Sequence, residues 1–279
     1  FLEWDKTVME HVGTLAPYIS LHRYAGNQGD DSQEYLGFGK SVDAQIEAVD
    51  ACCKMVQAKS KRRQQPYLCF DEWNVWYKTQ KPQFMDGRGQ FAPHLNEEYY
   101  NVEDALVVAQ FLNSFIRHAD VVKIANLAQV VNVIAPLMTR GDDLFRQTIF
   151  HAFKLFSEKK HGVSLRLAID GPEYQTEAHG LVPYLDCSAI LDEKAQKITL
   201  FAVNRSVNEV LPLKVVFSQT EISAISEVQV LAHTDIKSVN DFSQPNLVRP
   251  EPFNDVAIVE NCLIAELPVA SLTRIIVSY

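Results

Sequence analysis

Apolar positions along this chain follow two different periods, and the change falls near His161-Gly162. Up to that point short apolar runs alternate with stretches of helical spacing. Residues 18–24 read as a β run, followed by a polar loop over residues 25–40 that contains Gly26, Gly29, Asp30 and Asp31. Ile46, Val49, Cys53 and Val56 recur at helical spacing and predict an amphipathic helix over residues 42–60. Lys59, Lys61, Arg62 and Arg63 lie at its end, where cations oppose the helix dipole favourably, as at an ordinary solvated terminus. Residues 66–72 predict a second β run that ends in Asp71 and Glu72. A loop over residues 78–100 follows. Loops this long are usually functional or disordered; Phe84, Phe91, Tyr99 and Tyr100 favour a partly ordered wall over a site. Asn101 is placed to cap the next helix, with Asp104 three residues on completing a near capping box. Ala105, Val108, Leu112 and Phe115 supply that helix with an apolar face. A third β run is expected over residues 121–133 and a last helix over residues 144–158.

Strand–helix units in succession imply a parallel sheet with helices outside. Three such units are visible, whereas a closed barrel needs eight, and three alone leave open sheet edges. From residue 163 onward short β-prone runs dominate, at 163–169, 188–191, 197–204, 211–216, 227–231, 257–259, 262–267 and 271–279. Turn-rich pieces such as Asp170-Gly171-Pro172 separate them, and residues 197–203 alternate clearly. This pattern predicts an antiparallel β-sandwich. The expected fold is therefore α/β over residues 1–160 and all-β over residues 161–279.

The net charge of −9 argues against nucleic acid or an anionic membrane as the main partner. No apolar run reaches the roughly 18 residues needed to span a bilayer. The five cysteines are an odd number without CxxC spacing and read as reduced thiols of a cytoplasmic protein. Asn204-Arg205-Ser206 matches a glycosylation acceptor, but a single match is expected by chance in a chain of this length. The first residue is Phe1 and no signal-peptide pattern follows, so the expectation is a chain that begins inside a longer protein or has lost its start.

The densest chemistry lies at Phe70-Asp71-Glu72-Trp73-Asn74-Val75-Trp76-Tyr77. Burying a carboxylate costs several kcal/mol unless it is paired, so two acids among indoles suggest a sugar site: aromatic rings stack on sugar faces, and paired carboxylates cut glycosidic bonds. Glu72 is either a nucleophile or general base, or one half of a structural ion pair. Asp71 should take the opposite pleat direction and bond backbone or Arg23 in a supporting role. His22 could be an acid, a base or an ordinary hydrogen-bonded histidine; no HxH or HExxH pattern supports a metal. Tyr24 could donate to a catalytic carboxylate and hold it ionised, or simply pack. One of Trp73 and Trp76 should face a pocket. Gln129, with Asn132 beyond it, can donate and accept as sugar hydroxyls require, although a lone glutamine is more often structural. Neither GxSxG nor GxxxxGK[ST] occurs, which removes serine-hydrolase and P-loop readings.

With these residues assembled, the chain resembles the α-L-arabinofuranosidases of glycoside hydrolase family 51. The resemblance is carried by residues 19–24, 70–77, 122–136, 146–150 and 201–205, and covers essentially the whole chain. It implies the C-terminal part of a (β/α)8 TIM barrel followed by a β-sandwich, and a retaining enzyme that releases terminal arabinofuranose without a cofactor. Glu72 matches the nucleophile ending strand seven. Tyr24, ending strand six, matches a residue that hydrogen-bonds it, and Trp76 matches an aromatic wall. Gln129, ending strand eight, matches a contact to sugar hydroxyls, and His22 a position near the catalytic centre. The family's acid/base glutamate, in a Gly-Asn-Glu motif ending strand four, has no counterpart here, nor do the first five barrel strands. The expected partners are an arabinose-containing oligo- or polysaccharide, the missing N-terminal barrel segment, and further copies in an oligomer, a hexamer being a common form. The competing expectations are another specificity on the same scaffold, xylosidase or endoglucanase, and a non-catalytic carbohydrate-binding fragment.

Overall fold

The computed structural model describes residues 2–13, 15–60, 66–79, 94–159 and 161–279. Lys61, Arg62, Arg63, Phe84 and Phe91 lie outside the described residues.

The first half contains helices α1 (Leu2–Val12), α2 (Ser32–Tyr35), α3 (Gly39–Ser60), α4 (Val102–Arg117) and α5 (Thr148–Ser157). Between them run strands β1 (Tyr18–Ala25), β2 (Tyr67–Val75) and β3 (Val122–Leu127), then β4 (Leu137–Arg140) and β5 (Asp143–Arg146). Strands β1, β2 and β3 form one parallel sheet in that order. The expected helical face of α3 is its buried face: Ile46, Val49, Cys53 and Val56 are all at most 1% exposed. The capping box at Asn101 is complete, with Asn101 and Asp104 each accepting from the other's backbone N–H.

Three expectations are corrected here. The third β run is shorter than residues 121–133, because the chain leaves the sheet after Leu127 and turns through Asn132 and Ile134, both at positive φ. Residues 144–146 are not helical but belong to the β4–β5 hairpin, whose two-residue loop places Gly141 at φ +60; a Gly-Asp pair between β-prone residues is a hairpin signal. Tyr100, read as part of a partly ordered loop wall, is instead a core residue: it is fully buried and its hydroxyl donates to the Val75 carbonyl at 2.8 Å.

The second half runs β6 (Val163–Leu165), β7 (Glu173–Thr176), β8 (Gly180–Pro183), β9 (Leu185–Asp192), β10 (Lys197–Asn204), β11 (Leu211–Val216), β12 (Ala224–Leu231), β13 (Glu251–Pro252), β14 (Val256–Val259), β15 (Cys262–Leu267) and β16 (Ser271–Ser278). A six-stranded antiparallel sheet has the order β13-β12-β16-β10-β9-β6, and a three-stranded antiparallel sheet the order β11-β15-β14. Ile198, Leu200, Leu213, Leu263, Ala265 and Val277 form an apolar cluster drawn from both sheets.

Strand β10 alternates in sequence yet is buried on both faces. Its Ile198, Leu200 and Ala202 join the cluster between the sheets. Its Phe201 and Val203 join the core of the first half, where Phe201 stacks on Phe156 of α5 at 4.0 Å between ring centroids. Helix α4 is the hinge of this arrangement. It packs against β2 on one side and β9 and β10 on the other, so it is buried nearly all round rather than along one stripe. Its polar residues are tied accordingly: Asn113 donates to Asp186 at 2.7 Å, and Arg117 pairs with Asp186 and Asp43 at 2.9 and 2.7 Å. Among the described residues no helix is long and apolar enough to cross a membrane.

Histidine 151 on α5 is 7% exposed, its Nε2 has no hydrogen-bond partner among the described residues, and burial pulls its pKa down to about 4. The folded state thus binds this proton less readily than the unfolded chain. Stability from this group is complete above about pH 6.5 and is lost as the pH falls toward 4, by on the order of 3 kcal/mol. Urea midpoints at pH 7 and pH 5 should differ less in His151→Leu than in the native protein; an unchanged slope rejects this assignment.

Candidate active site

The exposed face of β1 carries every second residue. Ser20, His22 and Tyr24 point to one side, while Ile19, Leu21 and Ala25 are buried on the other. Strand β2 would present its residues the same way, but its register against β1 slips: Leu21 pairs with Phe70, and His22 pairs with Glu72. Asp71 is the extra residue of a β-bulge, which breaks the pleat. As a result both Asp71 and Glu72 are exposed, flanked by buried Phe70 and Trp73. The opposite orientation expected for Asp71 is therefore not found.

The two acids converge with the face of β1. Tyr24 Oη donates to Glu72 Oε2 at 2.9 Å. The His22 ring stands between the carboxylates, with Nδ1 3.5 Å from Glu72 Oε2 and Nε2 3.2 Å from Asp71 Oδ1. Ser20 Oγ donates to Asp71 Oδ1 at 2.7 Å. Arg23, expected as a partner of Asp71, instead lies over the Phe38 ring and donates to Ser41; it occupies the buried-side phase of β1. The side chains of Asp71 and Glu72 are 42% and 48% exposed, so neither incurs the desolvation cost of a buried acid among the described residues. Partial burial, together with the hydrogen bond to Glu72, pushes the Tyr24 phenol up to about 12. It stays protonated at neutral pH and acts as the donor to Glu72.

The two tryptophans have different surroundings. Trp73 is fully buried against Phe111 and Phe115, at 5.0 and 5.2 Å. Trp76 lies just past β2 with its ring edge-on to Tyr24 at 5.6 Å. Gln129 is exposed on the loop after β3, next to the Ala128–Gln129 peptide, which is cis. No hydrogen bond joins its side chain to Glu72 or Tyr24 among the described residues; its loop, however, is tied to β2. Buried Asn74 donates to the carbonyls of Ala128 and Ile134, both at 2.6 Å, and Ala128 N donates to the Trp73 carbonyl at 3.1 Å. Asn132 accepts from Thr139 N, closing the same loop onto β4.

Just past β2, Trp76 Nε1 donates to Thr79 Oγ1, and Thr79 N and Oγ1 donate to buried Glu98. Ser20, Asn74, Thr79 and Glu98 were not foreseen in the site or its supports. Ser20 was legible, since it shares the i, i+2, i+4 phase of His22 and Tyr24. Asn74, Thr79 and Glu98 act through contacts between segments, for which the chain has no local signal.

The model of the alpha-L-arabinofuranosidase C-terminal domain family matches residues 71–271, a span that begins at this carboxylate pair and runs through the antiparallel sheets. The chain belongs to that family. It is 38% identical over 96% of its length to an intracellular exo-alpha-(1->5)-L-arabinofuranosidase of Halalkalibacterium halodurans, covering 53% of that protein. It is 37% identical over 95% of its length to intracellular exo-alpha-(1->5)-L-arabinofuranosidase 1 of Bacillus subtilis, again covering 53%. A solved family 51 alpha-L-arabinofuranosidase from Bifidobacterium longum superposes with a TM-score of 0.91 at 29% identity, over 99% of this chain and 56% of that one. The resemblance read from residues 19–24, 70–77 and 122–136 is thereby borne out: the chain corresponds to the C-terminal portion of a family 51 arabinofuranosidase. It spans about half the length of the curated relatives it matches.

Proposed function

We propose that this chain is the nucleophile-bearing part of a retaining α-L-arabinofuranosidase that releases terminal arabinofuranosyl residues from arabinose-containing oligo- or polysaccharides. The observation that carries this reading is the 2.9 Å hydrogen bond from Tyr24 to Glu72, with Trp76 edge-on to the same tyrosine. Tyr24 and His22 both approach Oε2 of Glu72, which leaves Oε1 as the oxygen to attack the anomeric carbon.

In this reading Glu72 forms a glycosyl ester as the leaving oxygen is protonated by a second carboxylic acid, about 5–5.5 Å away in a retaining site. That group, then ionised, deprotonates the water that releases the sugar and restores Glu72. It belongs to the part of the protein outside this chain. There, too, belong the strand–helix units that would close β1, β2 and β3 into a (β/α)8 barrel and cover the face carrying Asp71 and Glu72. The barrel portion is assigned to residues 1–160 and a β-sandwich domain to residues 161–279, with α4 as their shared core. Trp76 supplies an apolar wall, and Gln129 and His22 supply polar contacts to the sugar. We place the protein in the cytoplasm as an oligomer, with a hexamer as the form to test.

Incubating the full-length protein with a fluorinated, slowly released aryl α-L-arabinofuranoside should leave a sugar on the peptide containing Glu72, read by mass spectrometry. An adduct on another residue, or turnover with inversion, overturns the mechanism. Preferred turnover of aryl xyloside or β-glucan overturns the specificity.

A further inference from the structure

Glu98 is a fully buried carboxylate that takes no part in the chemistry above. Three donors converge on its Oε1: Tyr77 N at 2.9 Å, Thr79 N at 3.0 Å and Thr79 Oγ1 at 3.1 Å. Its Oε2 has no hydrogen-bond partner among the described residues, and burial raises its pKa. The backbone around it is itself fixed, since buried Gln147 donates to the Glu98 carbonyl and accepts from Tyr100 N, both at 2.8 Å. Glu98 therefore grips the turn that immediately follows β2.

That turn holds the sugar-site aromatic. Trp76 Nε1 meets Thr79 Oγ1 at 3.2 Å. An indole nitrogen can only donate, and the Glu98 Oε1 facing Thr79 accepts. The single hydroxyl proton of Thr79 must then point to Glu98, leaving its lone pair for Trp76. The longer 3.5 Å approach of Thr79 Oγ1 to Asn96 Oδ1 competes poorly for that proton. The chain of contacts has one sense throughout, from Trp76 to Thr79 to Glu98, and it ends on a buried anchor. At its other end Trp76 packs against Tyr24, the donor to Glu72.

We propose that Thr79 and Glu98 are positioning residues that set the indole of Trp76 against Tyr24 and thereby shape the sugar-binding wall. This rests on the arabinofuranosidase reading above. Neither residue touches the reacting atoms. Their effect should fall on substrate binding, because a misplaced wall weakens contacts made equally in the ground and transition states, which raises KM more than it lowers kcat.

The test is a double-mutant cycle in the full-length protein, assayed on an aryl α-L-arabinofuranoside. Thr79→Val keeps the shape of the side chain but removes the acceptor; it should lower kcat/KM about tenfold, mostly through KM. Thr79→Ser restores the hydroxyl and should return kcat/KM to within about twofold of the native value. In a Trp76→Phe background, which lacks the indole N–H, Thr79→Val should add less than about a twofold further loss. Glu98→Gln, with its amide oxygen in the Oε1 position, should behave like the native protein, and Glu98→Leu like Thr79→Val. An equal Thr79→Val loss in both backgrounds, or none in the native background, overturns the proposal. Glu98→Leu bears on folding as well, so the Thr79 cycle decides if that variant is insoluble. Lack of activity in the native full-length protein, or an active Glu72→Gln variant, would instead count against the arabinofuranosidase reading.

Discussion

Replacing Glu72 with glutamine in the full-length protein is expected to lower kcat on an aryl α-L-arabinofuranoside by at least about 10³-fold, with little change in stability. The amide is nearly isosteric and its oxygen can still accept the Tyr24 hydroxyl, now at 2.9 Å from Oε2. What it cannot do is carry the negative charge that the proposed mechanism has attack the anomeric carbon, or leave as a carboxylate in the second step of that mechanism. The side chain is 48% exposed and packs into no core cluster, so the fold does not depend on it. Kinetics and a urea melt of the same preparation separate the two effects. Activity within tenfold of the native protein removes Glu72 from the nucleophile role, whatever the family membership implies.

The largest stability effect is expected at Asp186. Its side chain is 4% exposed and lies between two arginines, at 2.9 Å from Arg117 and 3.1 Å from Arg205, while accepting from Asn113 at 2.7 Å. Arg117 retains Asp43 when Asp186 is removed. Arg205, itself 4% exposed at the side chain, keeps only Gln110 Oε1 and the Pro183 carbonyl among the described residues, and no carboxylate. An uncompensated buried charge costs about 3–5 kcal/mol. Asp186→Ala should therefore lower the unfolding free energy by about that amount, and Asp186→Asn, which can keep some of the hydrogen bonds, by less. Because the network ties α4 to β9 and to the end of β10, the loss should appear in both halves together, as one shifted transition in far-ultraviolet circular dichroism and in tryptophan fluorescence. A loss below about 1 kcal/mol, the range of a surface pair, refutes this account.

Much of the fold was legible because the signals concerned are local. Residues 197–204, 211–216 and 262–267 became β10, β11 and β15 with the same bounds. Each is a β-prone run ended by turn residues, and nothing beyond the run is needed to read it. The buried face of α3 and the cap at Asn101 follow equally from spacing within one helix. The hairpin over residues 137–146 was missed although Gly141-Asp142 announced it, because the apolar Leu144 and Phe145 also suit the start of a helix. The family was legible as well, since residues 70–77 hold an unusual combination of acids and aromatics.

The candidate site divides along the same line. The types of its residues, Glu72, Tyr24, His22 and Trp76, were available from the chain, and so was the shared phase of Ser20, His22 and Tyr24 along β1. Their arrangement was not. A regular strand would send Asp71 and Glu72 to opposite faces; the slip in register between β1 and β2 puts both on one face and gives Asp71 to Ser20 and His22 rather than to Arg23. The burial of β10 on both faces, the enclosure of α4 and the anchoring of Thr79 by Glu98 are of the same kind. Sequence by itself determined the family and many of the strands and helices, among them α3, α4, β10, β11 and β15, because period, caps and turns are properties of neighbouring residues. Tertiary structure alone decided which carboxylates share a face and which groups meet the Trp76 indole, because register and burial are set by pairing between segments far apart in the chain, and a slip of one residue reverses the direction of every side chain beyond it.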